Sequence, residues 1–301
     1  PGPQGRVPVL LARPRPLHGA AAAAAGRRAA VLVLHGTLQT KEDRAVDLAR
    51  YARKGFVAAC FDSRYRGERG SVEDYQASLV RAWKTGQEHP FIYDSAWDLS
   101  RVVDMLLTRA DVDPARIGAT GVSLGGMIVW LAAAADERIV AAAPAIGVQS
   151  YRYAVEEEIW HARVDTILPV FEAAAADLRG PGSPITKKVV EKVWRRILPG
   201  IMDELDAPSS LRCVAPRPLL VINGAEDPRC PAEGVRRAFA SARAEYERLG
   251  IADDGRLELH IAPGVEHEVT PAMWQAIDAF LVRHLEPHKV VGTVPSLPSR
   301  L

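Results

Sequence analysis

Short continuous apolar runs alternate along the chain with longer stretches in which apolar side chains return every three or four positions. The first kind reads as strands buried on both faces, the second as amphipathic helices. VPVLLARP (7–14) reads as an early edge strand. AAVLVLHG (29–36), GFVAACFDSR (55–64), ARIGATGV (115–122), RIVAAAPAIG (138–147), RPLLVING (217–224) and RLELHIAPG (256–264) supply the rest. A helix is expected from Thr40 to Lys54, with Ala45, Leu48, Ala49 and Ala52 on one face and Gly55 as its stop. Another runs from Tyr93 to Arg109, capped by Asp94 or Ser95, with Trp97, Val102 and Leu106 as its stripe. Further helices follow from Leu124 to Asp136 and from Pro271 to Leu285. This alternation predicts an α/β fold around a mostly parallel sheet.

Between the strands ending near Gly147 and starting near Pro218, about seventy residues show no strand pattern, too many for a structureless loop in a compact domain. They hold the helical runs AVEEEIWHARVDTILPVFEAAAADL and TKKVVEKVWRRIL, separated by PGSP. Residues 150–213 are therefore expected to be a helical cap inserted into a core made of 1–149 and 214–285. The alanine-rich tract from Gly19 to Gly26 reads as a low-complexity turn, and 286–301 as a loosely ordered tail.

Composition narrows the partners. With 301 residues and 48% hydrophobic content, the chain can bury a sizeable core. Its 38 basic and 37 acidic side chains leave a net charge of +1, which gives no electrostatic reason for nucleic acid or an anionic membrane. Cys60, Cys213 and Cys230 are scattered, without metal-ligand or disulfide spacing, so no metal site is expected and a reducing compartment fits. No apolar run is long enough to span a membrane. An intracellular location, cytoplasmic or plastid, is the expectation; the oligomeric state is not legible.

The candidate chemistry sits at the strand ends. Gly121-Val122-Ser123-Leu124-Gly125 follows a strand and opens a helix, the setting in which a G-x-S-x-G pattern exposes a serine on a tight, strained turn. A serine hydroxyl needs a base, and the base needs an orienting acid. VINGAEDPRCP places Asp227 just past one later strand, with Glu226 as a rival, and APGVEHEVT places His267 just past the last. The order Ser, Asp, His is that of the strand-turn-helix hydrolases. An oxyanion needs backbone donors, expected from the N–H groups of Leu124 and Thr37, with Leu38 as second choice. His35 is read as a structural residue tying down that loop. In SRYRGERG (63–70), Arg64, Arg66 and Arg69 are expected to fix their loop through ion pairs with Glu68, while a carboxylate pocket is the other reading. Trp83, Trp160, Trp194, Phe171 and Tyr151 are read as packing for the inserted segment.

VLHGT (33–37), GVSLGG (121–126), NGAEDPRCP (223–231) and GVEHE (264–268) make residues 29–285 resemble the α/β-hydrolase superfamily. HGTLQTKE and FDSRYRGERG look like its dienelactone-hydrolase, acetyl-esterase and prolyl-oligopeptidase-like branch. FIYDSAWDLSRVVDMLL and APRPLLVINGAEDPRCP are especially similar to plant members. The resemblance implies about eight mostly parallel strands, helices on both faces, a Ser-Asp-His triad and no cofactor. The dienelactone branch proper uses a cysteine nucleophile; Ser123 in its place points to an esterase acting on a small-molecule ester. A small-molecule receptor on the same scaffold is the alternative, as is triad chemistry on thioesters, amides or by elimination.

Overall fold

A computed structural model describes residues 2–14 and 26–285 of the protein. Most of the alanine tract and the 286–301 tail lie outside the described residues. The strands are β1 (Val9–Ala12), β2 (Arg28–Leu34), β3 (Val57–Phe61), β4 (Val112–Val122), β5 (Ala141–Ala145), β6 (Leu219–Gly224) and β7 (Leu257–Ala262). They form one sheet in the order β1-β3-β2-β4-β5-β6-β7. Only β1 runs antiparallel, against β3 at the edge; every other pair is parallel. The seven apolar runs each became a strand. The eighth, implied by resemblance alone, is not found among the described residues.

The helices before the long insertion are α1 (Ala45–Arg53), α2 (Val72–Thr85), α3 (Tyr93–Leu107) and α4 (Leu124–Ala135). Between β5 and β6 come α5 (Tyr151–Glu156), α6 (His161–Val164), α7 (Leu168–Arg179), α8 (Lys187–Ile197) and α9 (Ala207–Ser210). After β6 come α10 (Ala232–Arg248) and, after β7, α11 (Pro271–Leu285). None of the described helices is long and apolar enough to cross a membrane.

Alternation along β2 builds two cores. Ala30, Leu32 and Leu34 face a cluster with Leu99, Trp130 and Val102, whereas Val31 and Val33 face Leu48, Tyr51, Ile277 and Phe280. Helix α4 is buried nearly all round, which explains its uniformly apolar sequence.

The chain from Tyr151 to Val214 is helical and pins its own ends together. The buried Asp206 carboxylate accepts from Ser150 Oγ at 2.8 Å, from the Tyr151 N–H at 2.8 Å and from the Ala207 N–H at 2.9 Å. Trp194 is its aromatic centre, stacked on Phe91 at 5.7 Å and edge-on to Tyr151 and Phe171. This is worth more than area alone because ring quadrupoles favour such geometry.

Three local expectations need correction. Residues 41–44 form a 3-10 turn before α1 rather than its first turn, with a Thr40–Asp43 capping box. At α3 the N-cap is Ile92, and Asp94 instead accepts the His89 N–H at 3.0 Å. Trp97 is 61% exposed: at about 100° per residue it stands some 140° from Val102, off the buried stripe, with Arg101 over its ring.

Candidate active site

Ser123 is the hinge between β4 and α4, with φ +55° and ψ −110°, a conformation that costs energy for any residue with a Cβ. Its N–H donates to the Ala145 carbonyl at 3.0 Å, which ties the turn to β5. The flanking glycines are steric necessities. A Cβ at Gly121 would lie 2.5 Å from the Gly125 carbonyl carbon, and one at Gly125 would lie 2.6 Å from the Leu34 carbonyl oxygen.

Asp227 stands three residues past β6 and His267 five past β7. Gly224 lets these two loops meet, since a Cβ there would strike the Val265 and Glu266 carbonyl oxygens. His267 Nδ1 lies 2.7 Å from Asp227 Oδ2, and its Nε2 lies 2.7 Å from Ser123 Oγ. With the carboxylate as acceptor, Nδ1 carries the proton and Nε2 accepts the Ser123 hydroxyl. The other carboxylate oxygen, Asp227 Oδ1, accepts the Arg229 and Cys230 N–H groups at 2.8 and 3.0 Å.

Electrostatics favours this protonation state. Burial on its own would raise the Asp227 carboxyl, but the His267 hydrogen bond and charge and the two amides outweigh it, leaving the group below its ordinary value. Burial lowers His267, and the Asp227 interactions offset only part of that, so the imidazole is neutral at pH 7. The rival Glu226 points elsewhere, accepting the Gly264 N–H at 3.2 Å.

Leu124 opens α4, so its N–H has no carbonyl one turn back to pair with. Opposite it, the loop after β2 is braced around Gly36. The Gly36 N–H donates to Gln39 Oε1 at 2.8 Å, and its carbonyl accepts from the Gln39 N–H at 3.2 Å. His35 locks the same loop. Its Nε2 accepts the Ser63 N–H at 3.1 Å, which leaves the proton on Nδ1 to donate to the Gly36 carbonyl at 2.9 Å. Burial lowers the His35 pKa, keeping the ring neutral for both bonds. Thr37, between these braces, leaves its buried Oγ1 without a partner.

The arginine loop is fixed differently from expectation. Arg64 makes a two-pronged bond to Asp98 on α3, both contacts at 2.7 Å, and Arg69 Nη1 reaches the same carboxylate at 2.6 Å. Glu68 pairs with Lys41 at 2.6 Å rather than with an arginine of its loop. Arg66 bonds the Leu38 carbonyl at 2.6 Å. Sequence reasoning missed Asp98 because its contribution comes from a different element.

Cys230, also unassigned from sequence, lies with Asp227 and His267 so that their donor atoms fall within 4.8 Å. Its thiol is buried, pushed up to about 12, and donates to the Ile146 carbonyl at 3.2 Å. It therefore stands as a neutral S–H beside the carboxylate, not as a thiolate ligand.

A mostly parallel sheet with a serine on a strained strand-to-helix turn, and an acid and a histidine on loops after later strands, defines an α/β-hydrolase fold. Residues 17–177 match the dienelactone hydrolase family, and the chain belongs to that family. Among curated relatives, "Putative hydrolase YtaP" of Bacillus subtilis (strain 168) is 26% identical over 162 residues, 54% of this chain and 43% of that protein. "Uncharacterized protein YcjY" of Escherichia coli (strain K12) is 36% identical over 113 residues, 37% of this chain and 33% of that protein. The matched part thus spans less than half the length of either relative. Among solved structures, acetyl xylan esterase 1 from Thermoanaerobacterium sp. JW/SL YS485 superposes with a TM-score of 0.64 at 17% identity, covering 93% of this chain and 80% of that one. A glucuronoyl esterase from Solibacter usitatus gives a TM-score of 0.57 at 20% identity, covering 92% and 77%. At such identities the likeness is one of fold.

Proposed function

We propose that the protein is a serine hydrolase that cleaves a carboxylic ester of a small molecule through an acyl-enzyme. The observation that carries this reading is the unbroken chain Ser123 Oγ, His267 Nε2, His267 Nδ1, Asp227 Oδ2, with both contacts at 2.7 Å. The esterases among the structural neighbours support the same bond type.

In this reading Ser123 Oγ attacks the ester carbonyl carbon while His267 Nε2 takes the hydroxyl proton. The developing oxyanion is held by the N–H groups of Leu124 and Thr37. The C–O bond to the leaving alcohol breaks, and Nε2–H returns the proton to it. Water then gives a proton to Nε2 as its oxygen attacks the acyl carbon, and as the bond from that carbon to Ser123 Oγ breaks, Nε2–H returns the proton to Oγ, releasing the acid and restoring Ser123 and a neutral His267. Asp227 keeps the imidazole in the required tautomer and stabilises the transient imidazolium. Each step draws only on the chain's own groups and water. The helical stretch 150–213 acts as a cap over the acyl site.

The test is to quench the reaction with a short-chain aryl ester in acid and map the modified peptide by mass. An acyl adduct on the peptide containing Ser123 supports the reading. Steady turnover with the adduct on another residue contradicts it.

A further inference from the structure

Arg163, on α6 of the inserted segment, is only 3% exposed, yet its hydrogen-bond partners are all uncharged. Its Nε donates to Gln149 Oε1 at 3.4 Å, and its Nη2 donates to the Arg229 carbonyl at 3.4 Å and to Cys230 Sγ at 3.3 Å. Nη1 has no partner among the described residues. Burying a guanidinium without a counter-charge costs more than such long, neutral contacts return. Fold stability therefore does not account for Arg163.

Its contacts lead to both ends of the Ser123-His267-Asp227 chain. On the acid side, the Cys230 N–H donates to Asp227 Oδ1 at 3.0 Å and the Cys230 thiol to the Ile146 carbonyl at 3.2 Å. Ile146 follows Ala145, whose carbonyl receives the Ser123 N–H. By holding the Cys230 sulfur and the Arg229 carbonyl, Arg163 fixes the turn that presents two amides to Asp227. On the nucleophile side, Gln149 Nε2 donates to Met127 Sδ at 3.5 Å, and the Met127 N–H donates to the Ser123 carbonyl at 2.9 Å. One planar fork thus spans the acid turn and the first turn of α4.

The charge also reaches the imidazole, because the sulfur that Arg163 touches lies within 4.8 Å of donor atoms of Asp227 and His267. Asp227, Arg229 and the neutral Cys230 thiol face His267 from the turn after β6, Ser123 from the turn before α4, and Arg163 from the insertion. Glu266 and Glu268, its chain neighbours, are exposed. Burial, Arg163 and Arg229 push the His267 pKa down against the pull of Asp227.

We propose that Arg163 is a positioning residue for the triad, acting through the 229–230 turn on Asp227 and through Gln149 on the Ser123 turn, which makes the inserted segment a working part of the hydrolytic site. This rests on the serine-esterase reading above and extends it beyond the three residues.

The test measures kcat, KM and the pH dependence of kcat/KM on p-nitrophenyl acetate, an uncharged ester that gives a guanidinium no ion to pair with. In Arg163→Gln, kcat is expected to fall about 10- to 100-fold with KM changed by less than about threefold, because a misplaced triad loses rate rather than ground-state binding. Its acid limb should move to higher pH, since a cation facing the imidazolium has gone. Arg163→Lys keeps the charge and loses the fork, so its acid limb should stay at the wild-type position while kcat recovers only in part. Unchanged kcat in a folded Arg163→Gln protein, or a rise in KM at constant kcat, overturns the proposal. So does a loss of kcat with the acid limb unmoved, which is what a merely structural side chain would give. Should Arg163→Gln fail to fold, Arg163→Lys decides: wild-type kcat, or an acid limb displaced upwards, overturns the proposal. Wild-type turnover that does not depend on Ser123 overturns the esterase reading itself, and the positioning role with it.

Discussion

Gly125 and Leu34 are packed backbone to backbone: a Cβ on Gly125 would stand 2.6 Å from the Leu34 carbonyl oxygen and 2.7 Å from that of His35. The first turn of α4 therefore rests directly on the end of β2, and the spacing between Ser123 and the loop holding Thr37 is set by that contact. Gly125→Ala should push the two apart. Overpacking of this kind costs about 1–3 kcal/mol. The expected result is a lowered melting temperature together with a large loss of kcat. A variant with normal activity would show that the two proposed oxyanion donors are not set by this contact.

Asp227→Asn isolates the carboxylate's role in orientation. Asparagine can still accept the Arg229 and Cys230 N–H groups through its carbonyl, so the turn should survive and thermal stability change little. The amide no longer secures the Nδ1–H tautomer, and if the three residues act as the proposed triad kcat should fall by roughly 10³- to 10⁴-fold. A loss below tenfold would argue that another group orients His267.

The acid side of the pH profile follows from His267. Its pKa lies below the ordinary 6.5, and in the proposed mechanism the neutral imidazole is the base. Activity should thus be retained as pH falls to 6.5 and be lost below it, as protonation removes the acceptor for Ser123 Oγ. A kcat/KM limb with its midpoint above 6.5 would contradict this.

Stability should fall in the same direction. His35 is also depressed below 6.5 by burial, so the unfolded chain binds its proton first as pH drops. Linkage then makes stability decline between 6.5 and the lower native value, because the unfolded state takes up more protons there. Urea melts across that window should show the decline, and His35→Gln should flatten it while lowering stability at pH 7.

Asp98→Ala removes the single carboxylate that Arg64 and Arg69 share, and the Arg69 side chain is fully buried. Breaking such a pair from one side costs about 3–5 kcal/mol. Denaturant melts should register that loss, and Asp98→Asn should recover part of it.

Much of this was legible in sequence because it is local. Each strand was a continuous apolar run, and the strained turn at Ser123 announced itself by flanking glycines that leave no room for a Cβ. What escaped falls into two kinds. Some signals were present and went unused: Ser71 and Asp74 form a capping box that opens α2, with Gly86 closing it. Other features depend on distant partners. Nothing near Arg64 or Arg69 in the chain points to Asp98, and Glu68 found Lys41 instead of a neighbouring arginine. Trp97 shows the cost of a phase error, since an aromatic at a helical position is core only if its angle matches the stripe.

The proposed acyl-enzyme chemistry depends on one hydroxyl, held 2.7 Å from a neutral imidazole. The most direct measurement is kcat/KM on p-nitrophenyl acetate for the wild type and Ser123→Ala, with circular dichroism and melting curves to show that both are folded. The account predicts clear turnover by the wild type and a variant indistinguishable from the buffer rate. A folded Ser123→Ala protein that hydrolyses the ester as fast as the wild type would contradict it.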